Sequence, residues 1–261
     1  EKMKTIREIQ EEFARASEDG YDALYEKYQD DGRKGVAAIL KKYRKDQERL
    51  KRERERIFQM QGFERKYAHV GLICGVDEAG RGPLAGPVVA GAVILPADCQ
   101  ILYLDDSKRL SAKKREGLYP VILEQAVAVG VGYASPARID EINILQATYE
   151  AMREAVGRLD VEPQLLLNDA VTIPDMTIPQ VPLIHGDARS VSIAAASIVA
   201  KVTRDRLMVR YDSEMPQYGF AAHKGYGSAA HLEALQKYGP SPIHRRSFLK
   251  NFKNIPKGGA G

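Results

Sequence analysis

The chain has 261 residues and a formal net charge of +4 at pH 7, so it can bury a sizeable core in one large domain or two smaller ones. Its two cysteines, Cys74 and Cys99, have no CxxC spacing, which argues against a zinc cluster or a disulfide framework and is typical of a reducing compartment. Apolar runs too short for a membrane span, and a charged N-terminus without a signal-peptide core, then predict a cytoplasmic protein.

Charge is unevenly distributed along the chain. Residues 71–233 hold 15 Lys/Arg and 20 Asp/Glu, whereas residues 234–261 hold six Lys/Arg and no Asp/Glu. An acidic centre followed by a basic tail suits a metal site with anion-binding segments beside it.

A small helical module is predicted for residues 1–70. Thr5 and Glu8 have the spacing of a capping box at a helix start. A longer helix follows, because one stripe keeps alternating four- and three-residue steps from Val36 to Ile57, with Gln47 and Arg54 as polar interruptions of its apolar residues.

The long helix is strongly charged, with nine Lys/Arg and four Asp/Glu between Lys41 and Arg56. This density fits either a solvated face or a face that contacts phosphates. The segment Gly62–Gly71 has little periodicity and is predicted to be the linker into a larger domain, residues 71–261.

The stretch Gly75–Leu95 concentrates the chemistry of the chain. A short apolar run delivers two adjacent carboxylates to the end of a predicted strand, and a loop follows in which one arginine lies between glycines: Asp77, Glu78, Gly80, Arg81 and Gly82. Carboxylates can hold a divalent cation, while arginine and bare backbone N–H groups approach an anion. The alternative is a tight turn whose charges are merely solvated.

A polar loop follows the second predicted strand, Val88–Leu95. Ser107 and Lys108 in this loop are the pair expected beside a phosphate, although the loop could simply connect two elements. Ser111 is a good N-cap for the next helix, and Pro120 predicts a break or kink in that helix.

The second half of the chain is predicted to contain three more strands and three more helices, the last of them at about Ala229–Tyr238. The strands are expected at Ala126–Ala134, Leu165–Leu167 and Val181–Ile184, and the helix between the first two should be irregular near Asn143. A helix of small residues beginning at Val191 must pack closely against the sheet.

Two further carboxylates and one aromatic ring complete the candidate site. Asp169 follows the fourth strand directly after Asn168, whereas Asp187 precedes the small-residue helix and could serve only as its N-terminal charge. Tyr226 lies in the glycine-framed loop His223–Gly227, where its ring could stack on a sugar or base or could simply pack.

Taken together and in order, these motifs resemble those of bacterial ribonuclease HII. The match covers residues 72 to about 250 and is carried by DEAGRGPLAGP from Asp77, DSK from Asp106, LLNDA from Leu166, GDA from Gly186, SIAAASI from Ser192, AKVTRD from Ala200 and HKGYG from His223. The N-terminal module resembles the extension of some Bacillus-type members.

The resemblance implies an α/β fold: a ribonuclease H-like, mixed five-stranded sheet flanked by helices, with a small helical N-terminal domain and a helical C-terminal region. It implies that four carboxylates hold Mg²⁺ or Mn²⁺ in a two-metal site: Asp77, Glu78, Asp169 and Asp187. It also implies substrate contacts at an RNA-to-DNA junction from Gly80, Arg81, Gly82 and Tyr226.

The implied activity is an endoribonuclease that cuts the RNA strand of RNA–DNA hybrids and nicks DNA 5′ to an embedded ribonucleotide, leaving a 3′-hydroxyl and a 5′-phosphate. The expected partners are RNA–DNA hybrids and DNA duplexes that contain ribonucleotides, bound by a monomer without membrane contact. The alternatives are a ribonuclease HIII-like hybrid nuclease and a non-catalytic hybrid-binding protein.

Overall fold

The computed structural model describes residues 3–17, 20–250 and 252, and the chain divides by internal contacts into two units, residues 1–56 and 57–261. This division falls inside the long N-terminal helix, earlier than the domain boundary expected near residue 70, which stays a prediction. The end of the basic tail lies outside the described residues.

The first unit is built on three helices, α1 (Ile6–Arg15), α2 (Tyr21–Tyr28) and α3 (Lys34–Met60), of which α3 runs on into the second unit. The capping box predicted for α1 is confirmed, because the Thr5 hydroxyl accepts from the Glu8 N–H while the Glu8 carboxylate accepts from the Thr5 N–H. The core consists of buried side chains from all three helices: Ile9, Phe13, Tyr28, Val36, Ile39 and Leu40.

The predicted linker is wrong, because residues 62–70 form α4 (Gly62–Tyr67) and one turn of 3₁₀ helix. Phe63, Tyr67 and Val70 pack against a buried cluster of the second unit that includes Ile73. Their four- and three-residue spacing places them on one helical face, and burial of this face stabilises the helix. The flanking glycines made this periodicity difficult to recognise in the sequence.

The second unit is organised around one mixed five-stranded sheet, as predicted. The strands are β1 (Ile73–Ala79), β2 (Val88–Ile94), β3 (Ala128–Ala134), β4 (Leu165–Asp169) and β5 (Gln180–Leu183). Their order is β3-β2-β1-β4-β5, with antiparallel pairing from β1 to β3 and parallel pairing from β1 through β4 to β5.

The described part of this unit contains six further α-helices: α5 (Ala112–Gln125), α6 (Pro136–Gly157), α7 (Val191–Glu214), α8 (Phe220–His223), α9 (Ala229–Tyr238) and α10 (Arg246–Leu249). Pro120 does not break α5, whose buried Ile122 packs on the core beyond it. The irregularity predicted near Asn143 is confirmed, since this residue has φ 70° and ψ 165° inside α6.

Helices cover both faces of the sheet. α5 and α7 pack on one face, and α6 packs on the other. Two strand glycines permit the approach of α7, because a Cβ on Gly75 would lie 2.1 Å from a backbone carbon of Ser192, and one on Gly91 would lie 2.5 Å from the Ala196 carbonyl. Among the described residues, no helix is long and apolar enough to cross a membrane.

Candidate active site

Three acidic side chains meet at one end of the central strands. β1 and β4 are parallel neighbours with Val76 opposite Asn168, so Asp77 and Asp169, each the next residue, emerge at the same sheet edge. Asp187 joins them from a 3₁₀ turn before α7. Carboxylate oxygens of the three residues lie within 4.8 Å of one another.

The cluster is electrostatically strained. Burial, followed by the charges of Glu78 and Asp169, raises the pKa of Asp77 well above its ordinary value. Burial and then the charge of Asp169 raise the pKa of Asp187 to about 6. Desolvated like charges disfavour one another, and a bound cation reverses that penalty. This all-oxygen donor set fits a hard divalent ion such as Mg²⁺ or Mn²⁺.

Glu78 lies beside this cluster and not within its closest set. Burial raises the pKa of Glu78 against the opposing charge of Arg81, and the charge of Asp169 adds to the rise. Its Oε1 is 3.5 Å from Nη1 of Arg81, whose side chain is 45% exposed. Arg81 can therefore reach a ligand from the edge of the carboxylate cluster.

Ser107 and Lys108, the pair predicted to lie beside a phosphate, have different surroundings. Ser107 is buried and its hydroxyl is hydrogen-bonded to that of Ser197 at 2.9 Å, so it faces the protein interior. Lys108 is exposed; burial acts to lower its pKa, but Asp77, Asp106, Asp187 and Asp169 together raise it. The charge of Lys108 is therefore coupled electrostatically to the carboxylate cluster.

Tyr226 and the glycine–arginine–glycine loop lie next to each other. A Cβ on Gly82 would be 3.8 Å from Cε1 of Tyr226, whose ring is 47% exposed. The Leu84 N–H donates to the Gly225 carbonyl at 2.8 Å, which joins the two segments by their backbones. Gly80 has φ +94°, a conformation that favours glycine.

Asn168 does not disturb the strand that ends at Asp169. β4 continues through both residues, and Asp169 pairs with Leu183 of β5. The Asn168 amide is fully buried and donates from Nδ2 to Oε1 of Gln180 at 2.7 Å. Asp169 is held further along the same edge, since its Oδ1 accepts from the Gly186 N–H at 2.7 Å.

Several residues at the site were given no role on the basis of the sequence. Asp106 interacts with Asp187, and the Ser197 hydroxyl interacts with Asp77. Arg204 and Arg245 are fully buried behind the loop that carries Arg81. The signal available for Arg204 was its position on the apolar face of α7, one helical turn after Ala200 and one before Met208, where a charge is unexpected.

The mixed sheet, the acidic side chains that two of its parallel strands bring to one edge, and the small-residue helix packed behind it place the protein in the ribonuclease H-like class. Comparison with known proteins identifies the branch of that class. The family model described as Ribonuclease HII matches residues 74–251, and that of the Ribonuclease HII N-terminal domain matches residues 5–68. The chain belongs to the ribonuclease HII family.

Individual relatives agree with this assignment. The chain is 62% identical to Ribonuclease HII of Lachnoclostridium phytofermentans over 94% of this chain and 97% of that protein. It is 53% identical to Ribonuclease HII of Bacillus licheniformis over 95% and 97% of the two chains. The crystal structure of ribonuclease H2 from Pyrococcus horikoshii has a TM-score of 0.57 and 29% identity, covering 67% of this chain and 93% of that one.

The family assignment decides between the alternatives raised by the sequence. The protein is an endoribonuclease of the type 2 ribonuclease H class and not a hybrid-binding protein without activity. The matched family is ribonuclease HII, which also disfavours the ribonuclease HIII-like alternative.

Proposed function

We propose that this enzyme hydrolyses the RNA strand of RNA–DNA hybrids and nicks duplex DNA 5′ to an embedded ribonucleotide. The observation that carries the proposal is the carboxylate cluster of Asp77, Asp169 and Asp187, whose oxygens lie within 4.8 Å of one another. In the reaction, water adds to phosphorus and the P–O3′ bond breaks, which leaves a 3′-hydroxyl and a 5′-phosphate.

Asp77, Glu78, Asp169 and Asp187 would hold the divalent cations, Mg²⁺ or Mn²⁺. Such ions would stabilise the charge on the attacking and leaving oxygens. The protein contributes a fixed arrangement, because Asp77 Oδ1 accepts from the Glu78 N–H at 2.7 Å and Asp169 Oδ1 accepts from the Gly186 N–H at 2.7 Å. These bonds hold both carboxylates before any ligand arrives.

The neighbouring groups would orient the substrate. Lys108 is an exposed cation coupled electrostatically to the acids and suits a phosphate, and Arg81 offers a second cation at the edge of the cluster. The N–H groups of Arg81 and Gly82 have no acceptor among the described residues, so they can meet the ribose 2′-hydroxyl that distinguishes RNA from DNA. Tyr226 would pack on the adjoining deoxyribose.

The enzyme is proposed to act as a monomer in the cytoplasm. The four acids and the residues proposed to read the junction all come from one chain, so the site needs no second subunit. Cys74 and Cys99 are buried and unpaired, which fits a reducing compartment. Light scattering of the purified protein tests the first of these statements.

The deciding assay compares a DNA duplex carrying one ribonucleotide with the same duplex made entirely of DNA, each with Mg²⁺ and with EDTA. We expect a nick 5′ to the ribonucleotide with Mg²⁺ only, and no cleavage of the all-DNA duplex. Failure to nick the ribonucleotide-containing duplex would falsify the proposal. An Asp169→Asn variant controls for contaminating nucleases, since it keeps the side-chain oxygen that accepts from Gly186.

A further inference from the structure

Two buried arginines lie behind the proposed substrate-reading residues, and neither forms an ion pair among the described residues. Arg204 of α7 and Arg245 before α10 are both 0% exposed. Burying a cation is costly unless its donors are satisfied. Each guanidinium here is satisfied by three backbone carbonyl oxygens.

Arg245 binds one segment only, residues 80–87, which we call the junction loop. Its Nη2 donates to the Gly80 carbonyl at 2.5 Å, its Nη1 to the Arg81 carbonyl at 2.8 Å and its Nε to the Gly86 carbonyl at 2.9 Å. These bonds turn the loop carbonyls toward the interior.

Arg204 binds two segments. Its Nη2 donates to the Ala85 carbonyl at 3.0 Å and its Nε to the Pro87 carbonyl at 2.9 Å, both in the junction loop. Its Nη1 donates at 2.9 Å to the Lys224 carbonyl in residues 223–227, which we call the tyrosine loop. One side chain therefore ties the loop of Arg81 to the loop of Tyr226.

The contact between Arg204 and the junction loop is close. A Cβ on Gly80 would lie 2.0 Å from Nε of Arg204, so the loop rests directly on the guanidinium. Lysine has a single nitrogen and no planar fork, and it cannot reproduce three divergent bonds to carbonyls on two loops. The role of Arg204 therefore depends on the shape of its guanidinium group and not only on its charge.

We propose that Arg204 is a positioning residue that fixes the distance between the junction loop and Tyr226, and that it thereby sets the preference for a single ribonucleotide over a continuous hybrid. The inference rests on the proposed function of both loops. In a continuous hybrid every nucleotide of the cut strand offers a 2′-hydroxyl, so a displaced loop still finds one. A single ribonucleotide offers one 2′-hydroxyl, and its recognition tolerates no such displacement.

The test compares three conservative variants, Arg204→Lys, Arg245→Lys and Arg210→Lys, on two substrates: a DNA duplex with one ribonucleotide and a uniform RNA–DNA hybrid. Arg210 is an exposed residue of the same helix and serves as the matched control. We expect Arg204→Lys to lower kcat/KM on the single-ribonucleotide duplex about tenfold more than on the hybrid, since small misplacements of reacting groups are costly. Arg210→Lys should change neither value.

Hydrogen exchange measured by mass spectrometry gives a readout that needs no cleavage. Arg204→Lys should speed exchange in both the junction loop and the tyrosine loop, whereas Arg245→Lys should speed it in the junction loop alone. Exchange in β2 should stay unchanged in both. Where the lysine variant does not fold, Arg204→Gln, which keeps two N–H donors, takes its place.

Equal loss of kcat/KM on the two substrates, or unchanged exchange in the tyrosine loop of Arg204→Lys, would overturn the inference. A wild-type enzyme that does not nick the single-ribonucleotide duplex would instead refute the proposed function. The exchange comparison still decides in that case whether Arg204 couples the two loops.

Discussion

His244 donates a hydrogen bond from Nε2 to Nε2 of His231 across 2.9 Å, and both imidazoles are buried. The direction follows from their other partners. Nδ1 of His231 must donate to the Tyr226 carbonyl at 2.8 Å, and Nδ1 of His244 accepts from the Ser241 N–H at 2.9 Å. Both rings are therefore neutral in the fold, and a proton added to either leaves two N–H groups facing each other.

Stability should consequently fall in acid. Burial lowers the pKa of His231 to about 4, and burial followed by the charge of His231 lowers the pKa of His244 to about 3. The unfolded chain then binds more protons, so this stability is complete above pH 6.5 and is lost as pH falls toward 3. The loss is up to about 1.4 kcal/mol per pH unit for each histidine.

Urea unfolding between pH 7 and pH 4 measures this loss. Arg246, close to His244, adds positive charge beside the pair, and the ring of His223 stacks 4.3 Å from that of His231. The variant His244→Gln should make the slope of unfolding free energy against pH shallower, by the equivalent of about one bound proton. Substitution of the exposed His69 by Gln is the control and should leave the slope unchanged. A wild-type slope in His244→Gln would contradict the assignment.

Asp77→Asn should abolish cleavage while stabilising the metal-free fold. Asparagine keeps the oxygen that accepts from the Glu78 N–H but removes a buried charge that repels Glu78 and Asp169. Each kcal/mol of repulsion that is relieved raises Tm by roughly 2–4 °C for a domain of this size. Thermal unfolding in EDTA and in Mg²⁺ checks this: the variant should melt higher in EDTA and gain little from Mg²⁺. A lower Tm in EDTA would count against the electrostatic account.

Tyr226→Ala should reduce selectivity for a single ribonucleotide more than it reduces overall turnover of a hybrid. Removal of the exposed ring takes away the surface proposed to pack on deoxyribose and leaves the backbone bonds of its loop available. Stacking on an aromatic ring contributes about 1–3 kcal/mol per contact, or roughly fivefold to 150-fold in kcat/KM. Tyr238→Ala, an exposed tyrosine at the end of α9, is the matched control. Equal selectivity of the two variants would show that Tyr226 does not contact the substrate.

The basic part of α3 should contribute salt-dependent binding. Lys41, Lys45 and Lys51 are exposed on this helix. Replacing all three by Gln should weaken hybrid binding and lower the slope of log Kd against log salt by about 0.9 for each phosphate that is no longer neutralised. Fluorescence anisotropy at several salt concentrations measures both quantities. An unchanged slope would show that this face of the helix is solvated and does not contact phosphates. The position of the cut should be the same in either case.

Gln180→Leu should destabilise the protein by about 1–3 kcal/mol. Gln180 accepts from Asn168 and from the Ile173 N–H, and it donates to the Ile173 carbonyl at 2.8 Å. Leucine would leave these buried groups without partners. Urea unfolding measures the change, and Gln125→Leu at an exposed position makes the same chemical substitution without that cost. Equal stabilities would show that water or a rearranged loop satisfies Ile173.

The carboxylate site could be predicted from the sequence because acidic residues that directly follow short apolar runs lie at the ends of strands. Asp77 and Asp169 follow this rule, and the parallel pairing of their strands then brings them together. Arg204 and Arg245 could not be found in the same way. Their partners are backbone carbonyl groups. Every residue has one, so the sequence of the partner segments does not indicate the contact.

Local signals failed where tertiary burial outweighed them. The segment after Gly62 forms a helix because Phe63 and Tyr67 pack on the core, and α5 continues past Pro120 because Ile122 is buried. Asn143, by contrast, was recognisable from its sequence, since it tolerates positive φ and its side chain accepts from the N–H groups that begin the next helical turn.

The strand order has a consequence for biosynthesis. β1, β2 and β3 are consecutive and pair as an antiparallel meander, so they can associate as they leave the ribosome. Asp187 is translated 110 residues after Asp77, a delay of roughly 5 to 20 seconds at roughly 5–20 residues per second. The complete carboxylate cluster therefore cannot assemble until β4 and the turn that carries Asp187 have been made, so nuclease competence comes only after the meander has been translated.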